Sequence, residues 1–99
     1  MQKPLKGSER KYLRGLAHGM KPVVQIGKHG VTPEAIKQID QALSDHELIK
    51  IKFNEFKDEK EDLSSVIEKE TGSECVGMIG HIAIFYRENP EKENRIEFK

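Results

Sequence analysis

Two glycines three positions apart, Gly27 and Gly30, enclose Lys28 and His29, residue types suited to holding an anion. Glycine has no Cβ and accepts positive φ, so the chain can turn sharply and a ligand backbone can come close. Backbone N–H groups of such a turn face outward. Lys28 can bring a mobile charge to a phosphate, and His29 can stack on a base or donate to a phosphate. A helix is predicted to open at Pro33, with Thr32 as N-cap and Glu34 in the first turn. Its positive dipole end favours an anion, although Pro33 has no N–H to offer.

A Gly-x-x-G loop of this kind clamps a nucleic-acid backbone in the KH module. By itself it also describes any strand-to-helix turn that needs two glycines. Nucleotide-binding motifs are excluded. Neither glycine begins a G-x-x-x-x-G-K-[ST] loop, and Gln25 stands where G-x-G-x-x-G requires glycine.

Charge separates along the chain. Residues 1–31 hold seven basic residues (Lys3, Lys6, Arg10, Lys11, Arg14, Lys21 and Lys28) against one acid, Glu9, a balance of +6. The other ten basic residues face sixteen acids, a balance of −6, so the net charge of zero is the sum of two poles. A bipolar domain can hold a polyanion on one side while the other stays solvated. A charge run is usually a solvated face, but Arg10, Lys11 and Arg14 have almost no acidic neighbours in sequence, which favours binding.

Ninety-nine residues make one domain with one core. The single cysteine, Cys75, allows no internal disulfide and reads as a small core residue. His18, His46 and His81 show no metal-ligand spacing, so no metal and no cofactor is expected. The acids of residues 55–70 read as the wet face of a helix, and Glu47 as a cap or lysine partner. No nucleophile, base or metal set is recognisable, and the chain is not expected to be an enzyme. No apolar run approaches the roughly 20 residues of a membrane span. The basic N-terminus has no apolar stretch behind it, so a soluble protein is expected, and the lack of a disulfide suits the cytoplasm; a module this small is expected to be a monomer.

The elements that must position these residues follow from periodicity. Ser8 as N-cap and Gly19 as C′ residue bracket a first helix. Tyr12, Leu13, Leu16 and Ala17, with Met20 beyond, form its apolar stripe, and Arg10, Arg14 and His18 are placed on the opposite face. Pro22–Ile26 reads as a strand ending at the loop. Ile36, Ile39, Ala42 and Leu43 line a second helix ending near Asp45. Ile49, Ile51 and Phe53 alternate with Lys50 and Lys52, a strand with one wet face. Lys50 is a candidate contact, whereas Lys52 is read as merely the polar side. A third helix carries Leu63, Val66 and Ile67 inward and ends at Gly72. Two strands, 75–79 and 81–87, meet near Gly80, and Arg87 either touches a ligand or ends its strand. Residues 88–99 read as a charged, mobile tail with Ile96 and Phe98 alternating. The order αβαβαββ predicts a four-stranded mixed sheet with helices packed on it, in an α/β domain over residues 1–87.

Several separated blocks share one resemblance. They are Leu13-Arg14-Gly15-Leu16-Ala17-His18, the run Lys21 to Thr32, His46-Glu47-Leu48-Ile49-Lys50-Ile51, and Gly80 to Arg87. Over about residues 8–87 the chain resembles a stand-alone CRM domain of the YhbY-like RNA-binding family. The resemblance implies a fold similar to the C-terminal domain of translation initiation factor three. It also implies association with the precursor of the large ribosomal subunit, through its ribosomal RNA, and a role in ribosome assembly. Carried onto this sequence, the RNA surface falls on Gly27, Lys28, His29 and Gly30. Arg14 and Lys21 lend basic support, Lys50 lies in a matching block, and Arg10 and Lys11 extend the surface along the helix. The alternative is a protein-binding adaptor whose acidic third helix docks a basic partner.

Overall fold

The computed structural model describes residues 4–55, 57–91 and 96. Three α-helices, α1 (Gly7–Ala17), α2 (Pro33–His46) and α3 (Lys60–Thr71), alternate with β1 (Val24–Ile26), β2 (Leu48–Phe53), β3 (Glu74–Ile79) and β4 (Ile82–Tyr86). The strands form one sheet in the order β1-β2-β4-β3. β1 runs parallel to β2, and the other neighbours are antiparallel. This is the expected mixed four-stranded α/β sheet. A short 3-10 turn at Lys57–Glu59, absent from the sequence reading, leads into α3.

Alternation along the strands divides the core in two. Ile49, Ile51 and Phe53 of β2 join Ala83 and Phe85 of β4 beneath Ile39 and Leu43 of α2 and Ile67 of α3. On the opposite face, Leu48, Ile84 and Tyr86 pack with Leu13 and Ala17 of α1. Strands that bury both faces read as near-continuous apolar runs. β4 does so with Ile82-Ala83-Ile84-Phe85-Tyr86, because it is central and covered on both sides. β2 becomes polar toward its end on the α1 side, at half-buried Lys50 beside the helix terminus and at exposed Lys52 beyond it.

Local chemistry fixes the element ends. Thr32 accepts from the Ala35 N–H at 3.1 Å, with Pro33 at the first helical position, so α2 starts where predicted. Gly72 closes α3 in the left-handed region, φ 69°, and Gly80, φ 58°, turns β3 into β4. The start of α1 corrects the sequence reading. Its N-cap is Lys6 rather than Ser8, because the Glu9 carboxylate reaches back to the Lys6 N–H at 2.9 Å. The helix is also turned about its axis relative to expectation. Leu13 and Ala17 are fully buried, while Leu16 is 43% exposed. Arg10 and Arg14 therefore lie beside the buried stripe, toward β3, rather than opposite it. In α3, Val66 is likewise exposed and Ser64 buried in its place.

Two further features escaped the sequence. Val76 is the extra residue of a β-bulge between Cys75 and Gly77, which turns its side chain into the core under α1. The segment expected to be mobile is held at both ends that can be described. The Asn89 and Ile96 N–H groups donate to the two oxygens of buried Glu47, each at 2.7 Å. Phe98 lies outside the described residues.

Candidate nucleic-acid interface

β1 carries the chain directly into the glycine loop. Gly30 donates its N–H to the Gly27 carbonyl at 3.0 Å, closing a four-residue turn with Lys28 and His29 at its tip. Gly30 has φ 70°, the left-handed conformation for which glycine is suited, whereas Gly27 does not use positive φ. A Cβ at Gly27 would meet nothing within 4 Å, so open space lies beside it. Lys28 and His29 are exposed, and their side chains and N–H groups have no partner among the described residues. The α2 terminus offers less than its dipole suggests. Pro33 lacks an N–H, Thr32 occupies that of Ala35, and Glu34 places a carboxylate in the same turn.

The remaining predicted residues separate into two groups. Arg10, Arg14 and Lys50 are engaged within the fold. Arg10 pairs with Glu74 at 2.9 Å, at the start of β3. Arg14 donates to the Val76 carbonyl at 2.9 Å, and its methylenes lie over Gly77, where a Cβ would stand 2.6 Å from Arg14 Cδ. Lys50 Nζ donates to the carbonyls of Met20 at 3.0 Å and His18 at 3.3 Å, just past the end of α1. Terminal carbonyls of a helix lack intrahelical donors, and a lysine satisfies them with favourable charge. Lys11 and Lys21, by contrast, are exposed and unpaired among the described residues. The cations thus do not form one continuous patch against the loop. Lys50 is level with Val23, which donates to its carbonyl, while the loop begins beyond Ile26. Three residues of strand, about 10 Å, separate them.

The fold instead gathers other residues at the loop. Asn54 donates its N–H to the Ile26 carbonyl at 2.9 Å and its side-chain amide to Gln25 Oε1 at 2.8 Å. Gln25 stands beside Lys52 across the β1–β2 pair, on the same face as α1. Lys52 is exposed and has no partner among the described residues. Sequence reasoning gave these three residues no binding role. Period-two alternation did place Lys52 on the same side as Lys50, but its position at the loop depends on the parallel pairing with β1.

At the scale of the sheet the two poles lean toward two faces, although α2 and α3 also carry the exposed Lys37 and Lys69. Lys11, His18 and Lys52 are exposed on the α1 side. The exposed acids Glu34, Asp40, Asp45, Glu61, Asp62 and Glu70 belong to α2 and α3, packed on the other side. Nothing in the loop supplies a nucleophile. Burial pushes the Cys75 thiol up from its ordinary value, and its sulfur lies beside the Gly77 carbonyl. Among the described residues no group of His, Cys, Asp or Glu could hold a metal ion. No described helix is long and apolar enough to cross a membrane.

A glycine-looped αβαβαββ sheet with one basic face defines a class, and the comparisons name it. Residues 5–87 match the CRS1 / YhbY (CRM) domain, and the chain belongs to that family. A Haemophilus influenzae relative, named RNA-binding protein, is 37% identical over 94 residues, spanning 94% of this chain and 93% of the relative. Probable RNA-binding protein YqeI of Bacillus subtilis is 37% identical over 92 residues, spanning 92% of this chain and 94% of YqeI. The solution structure of a Staphylococcus aureus protein, described as a candidate RNA-binding protein, superposes with a TM-score of 0.79. It is 42% identical and covers 91% of this chain and 95% of its own.

Proposed function

We propose that this protein is a non-catalytic RNA-binding module that engages precursors of the large ribosomal subunit in the cytoplasm and assists their assembly. The single observation that carries the binding reading is the tip of the loop. Lys28 and His29 project from a turn fixed by Gly27 and Gly30, their side chains and N–H groups without partners among the described residues, on a domain whose exposed acids gather mainly on α2 and α3. The ribosomal target rests on the CRM resemblance, and relatives named as RNA-binding proteins support the RNA.

Binding has two parts. Lys11, Lys21, Lys28 and Lys52, unpaired among the described residues, neutralise phosphates and release counterions. The loop then holds one stretch of backbone, with N–H groups and Lys28 directed at phosphate oxygens. Four phosphate contacts at a slope of about 0.7 each on single-stranded RNA give about a 50-fold affinity loss between roughly 50 and 200 mM salt. Fluorescence anisotropy with fragments of large-subunit ribosomal RNA measures this. Lys28→Ala with Lys11→Ala lowers both affinity and slope while the melting temperature holds. Unchanged affinity in that double variant overturns the reading. Co-sedimentation with precursor large subunits that is lost on nuclease treatment supports an RNA target. Persistence after nuclease supports the adaptor reading through the acidic face.

A further inference from the structure

One row of residues crosses the α1 side of the sheet just beyond the edge of α1. Register pairs Gln25 with Lys52, Lys52 with Ile82, and Ile82 with Ile79. The preceding row, Lys50, Ile84 and Gly77, lies under α1, with Arg14 over Gly77 and Lys50 bonded past the helix end. The Gln25–Ile79 row is open. Gln25 and Lys52 are exposed, Ile82 is half-buried, and Ile79 is 70% exposed, the largest exposure among the large apolar side chains described. The row begins two residues before Gly27.

The amide pair at its start has unused chemistry. Asn54 Nδ2 donates to Gln25 Oε1, which leaves the Gln25 amide N–H groups and the Asn54 oxygen without a partner among the described residues. If both amides are turned over, one donor group and one acceptor still remain. The linked pair therefore always offers an adjacent donor and acceptor, the combination that reads a base edge. Each amide also fixes the other, so little side-chain entropy is lost on binding. Backbone bonding of Asn54 to Ile26 ties the pair to the loop. Glu55, Asp58 and Glu59 are the nearest acids after Asn54 in sequence. They lie on the connection to α3, which packs on the other face.

We propose that this row is a base-reading track for single-stranded RNA, resting on the RNA-binding function proposed above. The glycine loop holds the backbone. The Gln25–Asn54 pair takes the hydrogen-bonding edge of one unpaired base, Lys52 meets an adjacent phosphate, and Ile82 and Ile79 form an apolar floor for the next base. Charge selects the occupant, since the row holds a cation and no acid. Width selects a single strand. The row is one residue deep and about 14 Å long across its four strands, bounded by α1 on one side, and unstacked bases are the part of RNA that presents readable edges.

The test uses the full chain with octamers of A, C and U and a duplex RNA of equal charge. Wild type is expected to prefer single strands over duplex, and one homopolymer over the others by at least about fivefold, as for one base-edge contact. Gln25→Ala with Asn54→Ala brings the homopolymers within about twofold of each other, with the salt slope and melting temperature unchanged. Without any variant, RNA titration shifts the Gln25 and Asn54 side-chain amide NMR signals. Equal wild-type affinities, preference retained in the double variant, unmoved amide signals or preference for duplex each overturn the track and leave RNA binding standing. Absence of any salt-dependent RNA binding overturns the proposed function together with it.

Discussion

Lys50 and Lys52 are two residues apart on one face of one strand, and the structure gives them different work. Lys50 is half-buried and donates to the Met20 and His18 carbonyls at 3.0 and 3.3 Å. Hydrogen bonds to charged groups contribute about 1.5–3 kcal/mol each. The longer bond is exposed and is discounted for solvent screening, and water can reach the freed carbonyls, so Lys50→Ala costs about 2 kcal/mol in all. For a domain of this size that lowers the melting temperature by about 10 °C. Lys52 has no partner among the described residues, and Lys52→Ala changes stability by less than about 0.5 kcal/mol. Its loss instead removes about 0.7 from the salt slope, about fivefold in affinity at roughly 0.1 M salt. Thermal melts followed by circular dichroism, with anisotropy titrations well below the lower transition, separate the two effects. A Lys50→Ala variant that melts like wild type but loses RNA affinity would refute the assignment, as would a Lys52→Ala variant that is destabilised.

Other outcomes follow from the same contacts. Gly77→Ala places a Cβ 2.6 Å from Arg14 Cδ and displaces that side chain, so it destabilises wild type by about 1–2 kcal/mol but costs little in an Arg14→Ala background. Equal cost in both backgrounds, by urea unfolding, contradicts the contact. Glu47→Ala removes the acceptor of the Asn89 and Ile96 N–H groups and lowers stability by about 3 kcal/mol, with faster amide exchange at Asn89 and Ile96. Unchanged exchange there sinks that assignment. Burial raises the Cys75 thiol, so it stays protonated at neutral pH and reacts with an alkylating reagent more slowly than a free thiol. Because the folded-state value is raised, its linkage contribution is present below the unfolded thiol's value and is lost as pH rises through the folded one. Alkylation as fast as that of a small thiol contradicts this.

Periodicity and turn chemistry made most of the fold legible. Thr32-Pro33, Gly72 and Gly80 each act locally, and the structure uses each as its type suggests. The long-range consequences were not legible. The apolar pattern of α1 is wider than its buried stripe, because Tyr12 and Leu16 count as apolar although α1 meets the sheet along Leu13 and Ala17. That shift carried Arg10 and Arg14 from an outer face to β3, where Glu74 and the Val76 carbonyl receive them. Glu47 does cap α2, its N–H donating to the Leu43 carbonyl, but the partners of its carboxylate are no lysine and lie 42 and 49 residues away. The loop was visible as a motif, whereas Gln25, Lys52 and Asn54 became its neighbours only through strand pairing.

The central claim is that RNA lies against the glycine loop and the adjoining open end of the sheet. Ultraviolet crosslinking of the protein to large-subunit ribosomal RNA, with the attached peptides identified by mass spectrometry, tests it most directly. The account predicts adducts on Lys28 or His29 and on the Gln25–Lys52 row. Adducts confined to α2 and α3, with the loop unmarked, contradict it.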